Sequence, residues 1–558
     1  MSAPLDGPRR AILQGVVIAA GAGVLVLELA AGRLLAPWFG MSLPVWTNVL
    51  AVVLGALAAG YALGGRLASR GASLGTLGGL LLGAGALAAA AGWGGPHLGA
   101  ALLPAGADLE GLALVLQKGS LLATLLLFGP PMVLLGTVGP VAVGLLAEGG
   151  DAGRAAGRVL ALSTLGSIAG TFLTTYALLP GPGTRATVAG TGAALALCGL
   201  VLVLANAGRG RAAAGVAAIL AVGAAAAAPA GLFRPAAGDG ARVLAEYDTA
   251  YQFVQVREVM DQGADDAPVP TRFLTMNEGV STYHSVWRKD SVLTGGRYYD
   301  LYPVLPLLAG VKPGDPLDVL VLGFAAGTQA RALRHFYGDD HRLRVDGAEI
   351  DPAVIRAGRE HFGLPEGAPW LEVHALDARA FLDGAPPDRR WDLVLVDCYS
   401  QEYYLPFHLT TVEFFAKVKA RLKPRGILAY NAFAYRPDDP LLAALVNATA
   451  TAFGRAWRAQ VPGYPNFVVL ATARSGDLPL LRFSDEAAAA GARPTPLGVF
   501  AGKAEGREAL ALAARTFDDP LVFDPDPAIP LLTDDRAPVE RLMDASMRDY
   551  DRARLGER

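Results

Sequence analysis

The sequence of 558 residues contains only two cysteines, Cys198 and Cys398, and seven histidines. Two cysteines in separate regions cannot form a disulfide framework or a four-cysteine zinc site. Charged residues make up 18% of the chain, and the formal net charge is -3. There is therefore no excess of basic residues to bind nucleic acid. We predict neither a nucleic-acid partner nor a bound metal.

Apolar residues are abundant instead. They make up 53% of the chain, the mean hydropathy is +0.36, and there are 68 glycines. The apolar residues are concentrated in the first half, where charges are sparse and apolar runs of roughly 20 residues recur, which is the length that a helix needs to cross a bilayer. From about residue 238 onward, charged and turn residues return to the frequencies of globular proteins. This pattern predicts a multi-span transmembrane domain over residues 1–236, followed by a soluble part.

The number of membrane spans is about seven, and six to eight are compatible with the sequence. The first apolar run follows Arg9 and Arg10 but is longer than the core of a signal peptide, so we favour an uncleaved span over a cleaved leader. The segment with Pro130 and Pro131 fits either one kinked span or a short hairpin. The predicted spans are residues 11–32, 46–66, 73–93, 118–146, 157–180, 184–206 and 211–233.

The apolar half indicates an integral, multi-pass protein of the cell membrane with the lipid bilayer as a partner. The distribution of lysine and arginine places the N-terminus on the cytoplasmic side. The side of the soluble part stays open, because it depends on whether the number of spans is odd or even. Glu28, near the end of the first span, is either a functional carboxylate at membrane depth or a helix-end partner of Arg33. The small residues in GALAAGYALGG and STLGSIAGT predict close helix packing.

The soluble part divides into three segments. Short alternating runs over residues 237–300 predict a small antiparallel β-sheet. Residues 301–490 alternate apolar runs with helical segments, which predicts an α/β Rossmann-like domain with a parallel, doubly wound sheet. Residues 491–558 form a C-terminal extension. The predicted fold is thus an α-helical membrane domain followed by a Rossmann-like domain of the class I methyltransferase type with a small N-terminal β-sheet.

Glycines and carboxylates at successive strand ends define a candidate site. Gly323 and Gly327 follow the first strand of the Rossmann-like segment, Glu349 ends the second, Asp377 follows the third and Asp397 ends the fourth. Ligands of such sheets bind outside the carboxyl ends of the strands, so these residues should converge. Glycines allow the backbone to approach a ligand closely, and a carboxylate after the second strand can accept ribose hydroxyls. Asp377 fits a helix cap equally well.

Several motifs resemble one known family. The chain resembles the spermidine synthase-like (polyamine aminopropyltransferase) family, which is related to class I S-adenosylmethionine-dependent methyltransferases, in its variant fused to an N-terminal multi-span membrane domain. The motifs of the apolar half that carry the resemblance are LELAAGRLLAPWFG, GALAAGYALGGRLA and GRVLALSTLGSIAGTF. Those of the soluble part are YQFVQV, VLVLGFAAGT, AEIDPAVI, VDCYS, PFHLTTVEFF and LLTDDRAPVE.

The resemblance implies roles for individual residues. Glu349 would hold the ribose of the co-substrate, Asp377 would contact its adenine, and Asp397 would take a proton from the attacking amine. Gln252, in the small sheet, would line the cofactor pocket, and Tyr299 would lie near the amine. The implied co-substrate is decarboxylated S-adenosylmethionine or S-adenosylmethionine, with no metal.

The sequence departs from the family at two carboxylates that recognise the substrates. The family's glycine-rich loop carries an aspartate that binds the donor's ammonium group, and Ala326 stands at that position. A second acid three residues after the catalytic one is replaced by Ser400. Tyr399 and Glu402 are further candidates on the substrate side. Cys398 is interpreted as a packing residue beside the site.

The leading functional hypothesis is aminopropyl transfer to a small-molecule amine in polyamine biosynthesis. The alternatives are a methyltransferase, which Ala326 favours because the methyl donor does not need that aspartate, and a non-catalytic membrane transporter or sensor that binds a nucleoside or polyamine. A second copy of the chain, forming a homodimer, is the one protein partner that we consider.

Overall fold

The computed structural model describes residues 5–39, 43–102, 112–147, 151–179, 181–206, 234, 240–249, 251–262, 267–276, 283–311, 315–338, 342–399, 404–474, 483–484, 502–539, 541–543 and 545–546. The chain forms two compact units. The first comprises Met1–Pro235 and Glu246–Phe253, and the second comprises Ala236–Ala245 and Val254–Arg558.

The first unit is built from helices that are apolar over most of their length. Helix α7 continues into a π-helical turn at Thr174–Leu178. The helices are α1 (Gly7–Phe39), α2 (Leu43–Ser69), α3 (Leu74–Leu102), α4 (Leu112–Leu127), α5 (Gly129–Gly136), α6 (Val138–Leu146), α7 (Ala152–Leu173) and α8 (Thr184–Asn206).

Within the described residues, six helical segments are long and apolar enough to cross a membrane. They are Gly7–Phe39, Pro44–Ser69, Leu74–Leu102, Gly129–Leu146, Ala152–Leu178 and Thr184–Asn206. Each of the six overlaps one of the predicted spans. The predicted span 211–233 lies outside the described residues.

The predicted span 118–146 is not one continuous helix. Helix α4 ends before Phe128, and α5 starts with Pro130 and Pro131 in its first turn, where the missing backbone N–H is not needed. A second break lies at Thr137, three residues before Pro140, whose ring would clash with the carbonyl of the residue four positions earlier in a continuous helix. The prolines therefore divide the segment, and Gly129–Leu146 alone has the length and hydropathy of a span.

The prediction of close helix packing at small residues is confirmed. A Cβ added to Gly166 on α7 would lie 2.0 Å from the backbone oxygen of Ile18 on α1. On α2, a Cβ added to Gly60 would lie 2.2 Å from the backbone oxygen of Val133. At both places the helix backbones approach so closely that only glycine fits.

The small β-sheet is antiparallel as predicted. Its strands are β1 (Arg242–Asp248), β2 (Phe253–Gln262), β3 (Pro268–Met276) and β4 (Ser285–Arg288), in that order across the sheet. Strands β2 and β3 pair from Val254 with Met276 to Gln262 with Pro268. The segment that follows forms a 3₁₀ helix at Tyr298–Val304 and a short helix, α9, at Leu305–Leu308.

The second unit contains an eight-stranded sheet with helices between its strands. The remaining strands are β5 (Leu317–Leu322), β6 (Leu343–Glu349), β7 (Leu371–Ala375), β8 (Trp391–Val396), β9 (Leu422–Phe433), β10 (Ala456–Gln460), β11 (Asn466–Thr472) and β12 (Leu521–Phe523). The remaining helices are α10 (Thr328–Tyr337), α11 (Pro352–His361), α12 (Ala378–Gly384), α13 (Val412–Arg421), α14 (Pro440–Phe453) and α15 (Ala504–Phe517).

The strand order is β12-β10-β11-β9-β8-β5-β6-β7. Strands β5 to β9 are parallel, whereas β10, β11 and β12 pair antiparallel, so the sheet is mixed rather than fully parallel. The chain runs outward from β5 through β6 to β7 and then returns to the other side of β5 as β8. This reversal creates a crevice beyond the carboxyl ends of β5 and β8, which is where α/β sheets bind ligands.

The predicted domain boundaries within the soluble part remain predictions. Strand β12 and helix α15 both lie in the predicted C-terminal extension, and β12 completes one edge of the large sheet by pairing with β10.

Candidate active site

The loop after β5 brings the backbone against the end of β8. Gly323 and Gly327 have positive φ angles of 78° and 84°, and Ala325 between them has a φ of 49°. A Cβ added to Gly323 would lie 2.2 Å from the carbonyl oxygen of Asp397. The predicted convergence of the glycine loop and Asp397 is therefore present in the structure, and it depends on the absence of a side chain at Gly323.

Glu349 ends β6 and is buried beside this loop. Its Oε2 accepts a hydrogen bond of 2.9 Å from the backbone N–H of Ala325, and its Oε1 accepts one of 3.1 Å from the N–H of Asp351. Burial raises the pKa of Glu349 to about 7, against the lowering effect of the two backbone donors. Each carboxylate oxygen has a further lone pair, so Glu349 can accept additional hydrogen bonds from a ligand.

Asp397 directly follows β8, beside the point where the strand order reverses. Its Oδ1 accepts a hydrogen bond of 2.8 Å from Asn431 Nδ2. Its Oδ2 lies 3.4 Å from both Tyr302 Oη and Gln329 Nε2, which donate. Burial raises the pKa of Asp397 to about 6, and the hydrogen bond from Asn431 opposes that rise most strongly. Asp397 is thus mostly ionised at neutral pH but accepts a proton more readily than an ordinary aspartate.

The tyrosines of the 3₁₀ helix lie around Asp397. Tyr298 and Tyr302 are four residues apart, and burial together with the nearby Asp397 charge raises the pKa of both well above the usual value. They therefore remain protonated hydrogen-bond donors. The predicted Tyr299 packs on Tyr298 with ring centroids 4.1 Å apart, and its hydroxyl lies 3.4 Å from the Tyr283 carbonyl oxygen. Its role beside the amine stays a prediction.

Tyr399 was also predicted on the substrate side, but its hydroxyl does not hydrogen-bond to Asp397. The Tyr399 hydroxyl donates to the Asn431 carbonyl at 3.1 Å and accepts from the Phe433 N–H at 2.8 Å, so it is held on the backbone of β9. Glu402 and Ser400 lie outside the described residues. A role for Tyr399 in substrate binding stays a prediction.

Asp377 caps helix α12, which is one of the two roles that the sequence suggested for it. Its Oδ1 accepts hydrogen bonds from the N–H groups of Arg379 and Ala380 at 2.9 and 3.0 Å. Its Oδ2 lies 2.9 Å from His408 Nε2, and this hydrogen bond lowers the pKa of Asp377. Adenine binding by Asp377 stays a prediction beside this capping role.

Gln252 is buried in the turn before β2. Its backbone carbonyl accepts hydrogen bonds from the N–H and the hydroxyl of Thr249. It belongs to the other compact unit, so its contact with the cofactor pocket stays a prediction. Cys398 is 8% exposed, and burial raises the pKa of its thiol well above the usual value. A thiol that stays protonated is a poor nucleophile, which agrees with its interpretation as a packing residue.

Four residues around Asp397 were not predicted from the sequence: Tyr298, Tyr302, Gln329 and Asn431. A signal in the sequence could have identified two of them, Asn431 and Gln329. Asn431 is a polar residue in the otherwise apolar centre of β9, and Gln329 lies in the first turn of the helix that follows the glycine loop. Among the described residues, Gln329 Oε1 and Tyr430 Oη are buried without a hydrogen-bond partner. The site thus holds acceptors that a ligand N–H group could satisfy.

A group of potential metal ligands occurs elsewhere in the sheet. Within the described part of the chain, Asp346, Glu372 and His374 bring one ligand atom each to within 4.8 Å of one another. Asp346 Oδ2 already accepts hydrogen bonds of 2.7 Å from Trp391 Nε1 and from Arg389 Nη2. We assign no metal to this group.

The chain is similar to known proteins over part of its length. No family model matches it. It is 29% identical to a probable polyamine aminopropyl transferase of Bifidobacterium longum over 300 residues, which cover 53% of this chain and 61% of that protein. It is 30% identical to a polyamine aminopropyltransferase of Vibrio vulnificus over 138 residues, which cover 25% of this chain and 44% of that protein. Among solved structures, a probable spermidine synthase from Corynebacterium glutamicum aligns with 18% identity and a TM-score of 0.37, covering 45% of this chain and 88% of that one.

The second unit is an α/β domain with a candidate site at the point where the strand order of its sheet reverses. Both bacterial relatives are named as polyamine aminopropyl transferases, and the similarity to them supports the predicted resemblance to the spermidine synthase-like family. The chain spans less than two thirds of the length of either relative, with 61% and 44% covered.

Proposed function

We propose that the chain is a membrane-integrated transferase that moves an aminopropyl group from decarboxylated S-adenosylmethionine to a small-molecule amine, as a step of polyamine biosynthesis. The observation that carries this proposal is the environment of Asp397. Its carboxylate has a pKa of about 6 and lies among hydroxyl and amide groups at the carboxyl end of β8. The names of the two bacterial relatives support the same reaction.

The residues at the ends of β5 and β6 fit a nucleoside co-substrate. The positive φ angles of Gly323 and Gly327 let the loop backbone approach a ligand. Glu349 is fixed by two backbone N–H groups and retains lone pairs for ribose hydroxyls. We propose that these residues hold the donor, whose sulfonium supplies a good leaving group.

The residues around Asp397 fit an amine. A protonated amine carries only N–H donors, and Asp397 together with the unpartnered Gln329 Oε1 can accept from them. The tyrosine hydroxyls of this region add further acceptors, and their aromatic rings provide apolar surface for the carbon chain of the substrate. This combination favours an alkylamine over a hydroxyl or thiol acceptor.

Proton transfer explains why the carboxylate lies there. An alkylammonium with a pKa of about 10.4 cannot attack until it loses a proton, and transfer to a base with a pKa of about 6 costs roughly 6 kcal/mol in water. Burial of the ammonium lowers its pKa and reduces that cost. In the proposed reaction the amine nitrogen forms a bond to carbon, the carbon–sulfur bond breaks with its electron pair going to sulfur, and Asp397 holds the released proton.

The helical unit supports a location in the cell membrane. Its long apolar helices expose large side chains on their outer faces, such as Leu160 and Phe172, which are 67% and 60% exposed. We propose that these faces contact lipid. A C-terminal reporter fusion tests the orientation. An even number of spans places the second unit on the cytoplasmic side with the N-terminus, whereas an odd number, with residues 211–233 crossing as well, places it outside.

The reaction is tested by identifying the nucleoside product. The purified chain is incubated with S-adenosylmethionine or its decarboxylated form and a panel of amines, and the products are analysed by mass spectrometry. Methylthioadenosine together with an extended amine is expected. S-Adenosylhomocysteine would instead identify a methyltransferase, and intact co-substrate in every reaction would favour a binding or transport function.

Methyl transfer is the second candidate because Ala326 leaves the donor site without the aspartate of the family. Ala326 is 2% exposed, and its N–H donates to Ser285 Oγ at 2.9 Å. We expect Ala326→Asp to improve kcat/KM for the decarboxylated donor about tenfold, because a buried ion pair to its ammonium group contributes one or more kcal/mol. Steady-state kinetics with both donors test this, and Ala326→Asn controls for size. An equal effect of both variants would remove the charge argument.

The pH dependence of turnover tests the role of Asn431. Asp397 accepts a proton only when it is ionised, so kcat/KM should rise with pH through the pKa of about 6. Asn431→Ala removes a hydrogen bond that stabilises the ionised form, which raises the pKa. The acidic limb of the profile should therefore move up by about one to two pH units. The control is Asn447→Ala, which also removes a buried hydrogen-bonding asparagine and should leave the pH profile unchanged. A profile that shifts in Asn447→Ala but not in Asn431→Ala would contradict the assignment.

A further inference from the structure

The helical unit contains a cavity of about 480 Å³ between helices α1, α2, α6 and α7, with residues of α5 at one side. Most of its wall is apolar and includes Val17, Leu57, Val138 and Val159. Of the described residues, Glu28 is the one charged residue that lines it, beside the hydroxyl groups of Tyr61, Ser163 and Ser167. A volume of this size is typical of small-molecule binding sites.

The Glu28 carboxylate has no hydrogen bond or ion pair within the described part of the chain. Arg33, the alternative partner considered from the sequence, lies five residues further along α1, which rotates it by about 140° around the helix. Its Nη1 donates instead to the Thr249 carbonyl oxygen at 2.6 Å. Glu28 is therefore half-buried in an apolar wall, and no described residue supplies a counter-charge.

An ionised carboxylate in apolar surroundings is costly unless a cation pairs with it. The cavity supplies one carboxylate, so its charge matches one ammonium group, and its walls match an alkyl or aryl body. A polyamine would bring further charges for which this cavity has no acceptor carboxylate. We propose that the cavity binds a lipophilic monoamine whose ammonium group pairs with Glu28.

The rim of the cavity suits entry of such a ligand. Leu54, Tyr61 and Leu160 line it and are 63%, 53% and 67% exposed. These side chains lie on helices that are long and apolar enough to cross a membrane. A ligand with an apolar chain can therefore pass from the outer face of the helices into the cavity without crossing a polar surface. None of the residues that line the cavity belongs to the candidate site around Asp397, and the proposal does not depend on the reaction proposed above.

The test compares octylamine with 1-octanol, which has the same chain length but no charge. The full chain is reconstituted in lipid nanodiscs, and saturable binding is measured by calorimetry after subtraction of empty nanodiscs. We expect the wild-type chain to bind octylamine at least about tenfold more tightly than 1-octanol, because only the amine forms the ion pair. Equal affinities, or the absence of saturable amine binding to the wild-type chain, would overturn the proposal without any variant.

Two substitutions locate the binding. Glu28→Gln should weaken octylamine binding at least about tenfold and leave octanol binding unchanged, whereas Leu57→Trp should fill the cavity and abolish both. Glu366→Gln, at a carboxylate that is 76% exposed, is the matched control and should have no effect. Far-UV circular dichroism and thermal unfolding in nanodiscs should match the wild-type chain in all three variants, which reports that they fold without relying on the proposed reaction. Octylamine binding that survives in Glu28→Gln would overturn the assignment of the cavity.

Discussion

Asp397→Asn should lower turnover about a thousandfold, because an amide cannot accept the proton that the attacking amine must lose. The change should be well tolerated by the fold. The Oδ1 atom still accepts from Asn431, and the Gln329 amide can turn so that its unpartnered Oε1 accepts from the new amide group. Affinity for the nucleoside co-substrate should be retained, since Glu349 and the glycine loop are unaltered. Single-turnover kinetics and equilibrium dialysis with the co-substrate measure the two quantities separately.

A matched variant separates this effect from a general loss of negative charge. Asp383→Asn removes a carboxylate that is 52% exposed and pairs with Lys417 at the protein surface. Its turnover should equal that of the wild type, because a surface ion pair contributes little. If Asp397→Asn retains turnover within about tenfold of wild type while Asp383→Asn behaves normally, the proton acceptor is another group.

The positions of the strand-end residues could be predicted from the sequence because they depend on a simple rule. Each apolar run of the Rossmann-like segment forms a strand, and parallel strands place their carboxyl ends on one edge. The structure pairs β5 with both β6 and β8, which brings the loop at Gly323 beside Glu349 and Asp397. The order of the residues along the chain was sufficient for this part of the site.

The residues that tune Asp397 could not be predicted in the same way. Asn431 reaches the carboxylate because of the register in which β9 pairs with β8. This register aligns Tyr430 with Val396, so the residues that follow them, Asn431 and Asp397, are neighbours. Nothing in the local sequence determines that register. The same holds for Tyr302, since a 3₁₀ helix far from β8 in sequence must pack against it before the hydroxyl can approach Asp397.

The helical unit shows a different limit of sequence analysis. Hydropathy alone joins residues 118–146 into one span, because it does not distinguish a continuous helix from consecutive short helices. The positions of Pro130, Pro131 and Pro140 divide the segment. A proline marks a helix start as readily as a kink, and tertiary packing decides between the two.

Gly323→Ala should have the largest effect on stability. The new Cβ would lie 2.2 Å from the carbonyl oxygen of Asp397 and 3.0 Å from the Cα of Cys398, which are backbone atoms that cannot rotate away. The φ of 78° is also unfavourable for alanine. Together these effects should cost about 3–5 kcal/mol of unfolding free energy. Because the loop must move away from the end of β8, turnover should fall as well.

Gly463→Ala isolates the steric contribution. Gly463 has a φ of 79°, almost the same as that of Gly323, but a Cβ there would meet no atom within 4 Å. This control should therefore lose only the 1–2 kcal/mol expected for a left-handed alanine. Urea unfolding of the two variants, followed by tryptophan fluorescence, gives the difference directly. Equal losses of stability in both variants would mean that the loop after β5 does not pack against Asp397, and the arrangement of the candidate site would have to be revised.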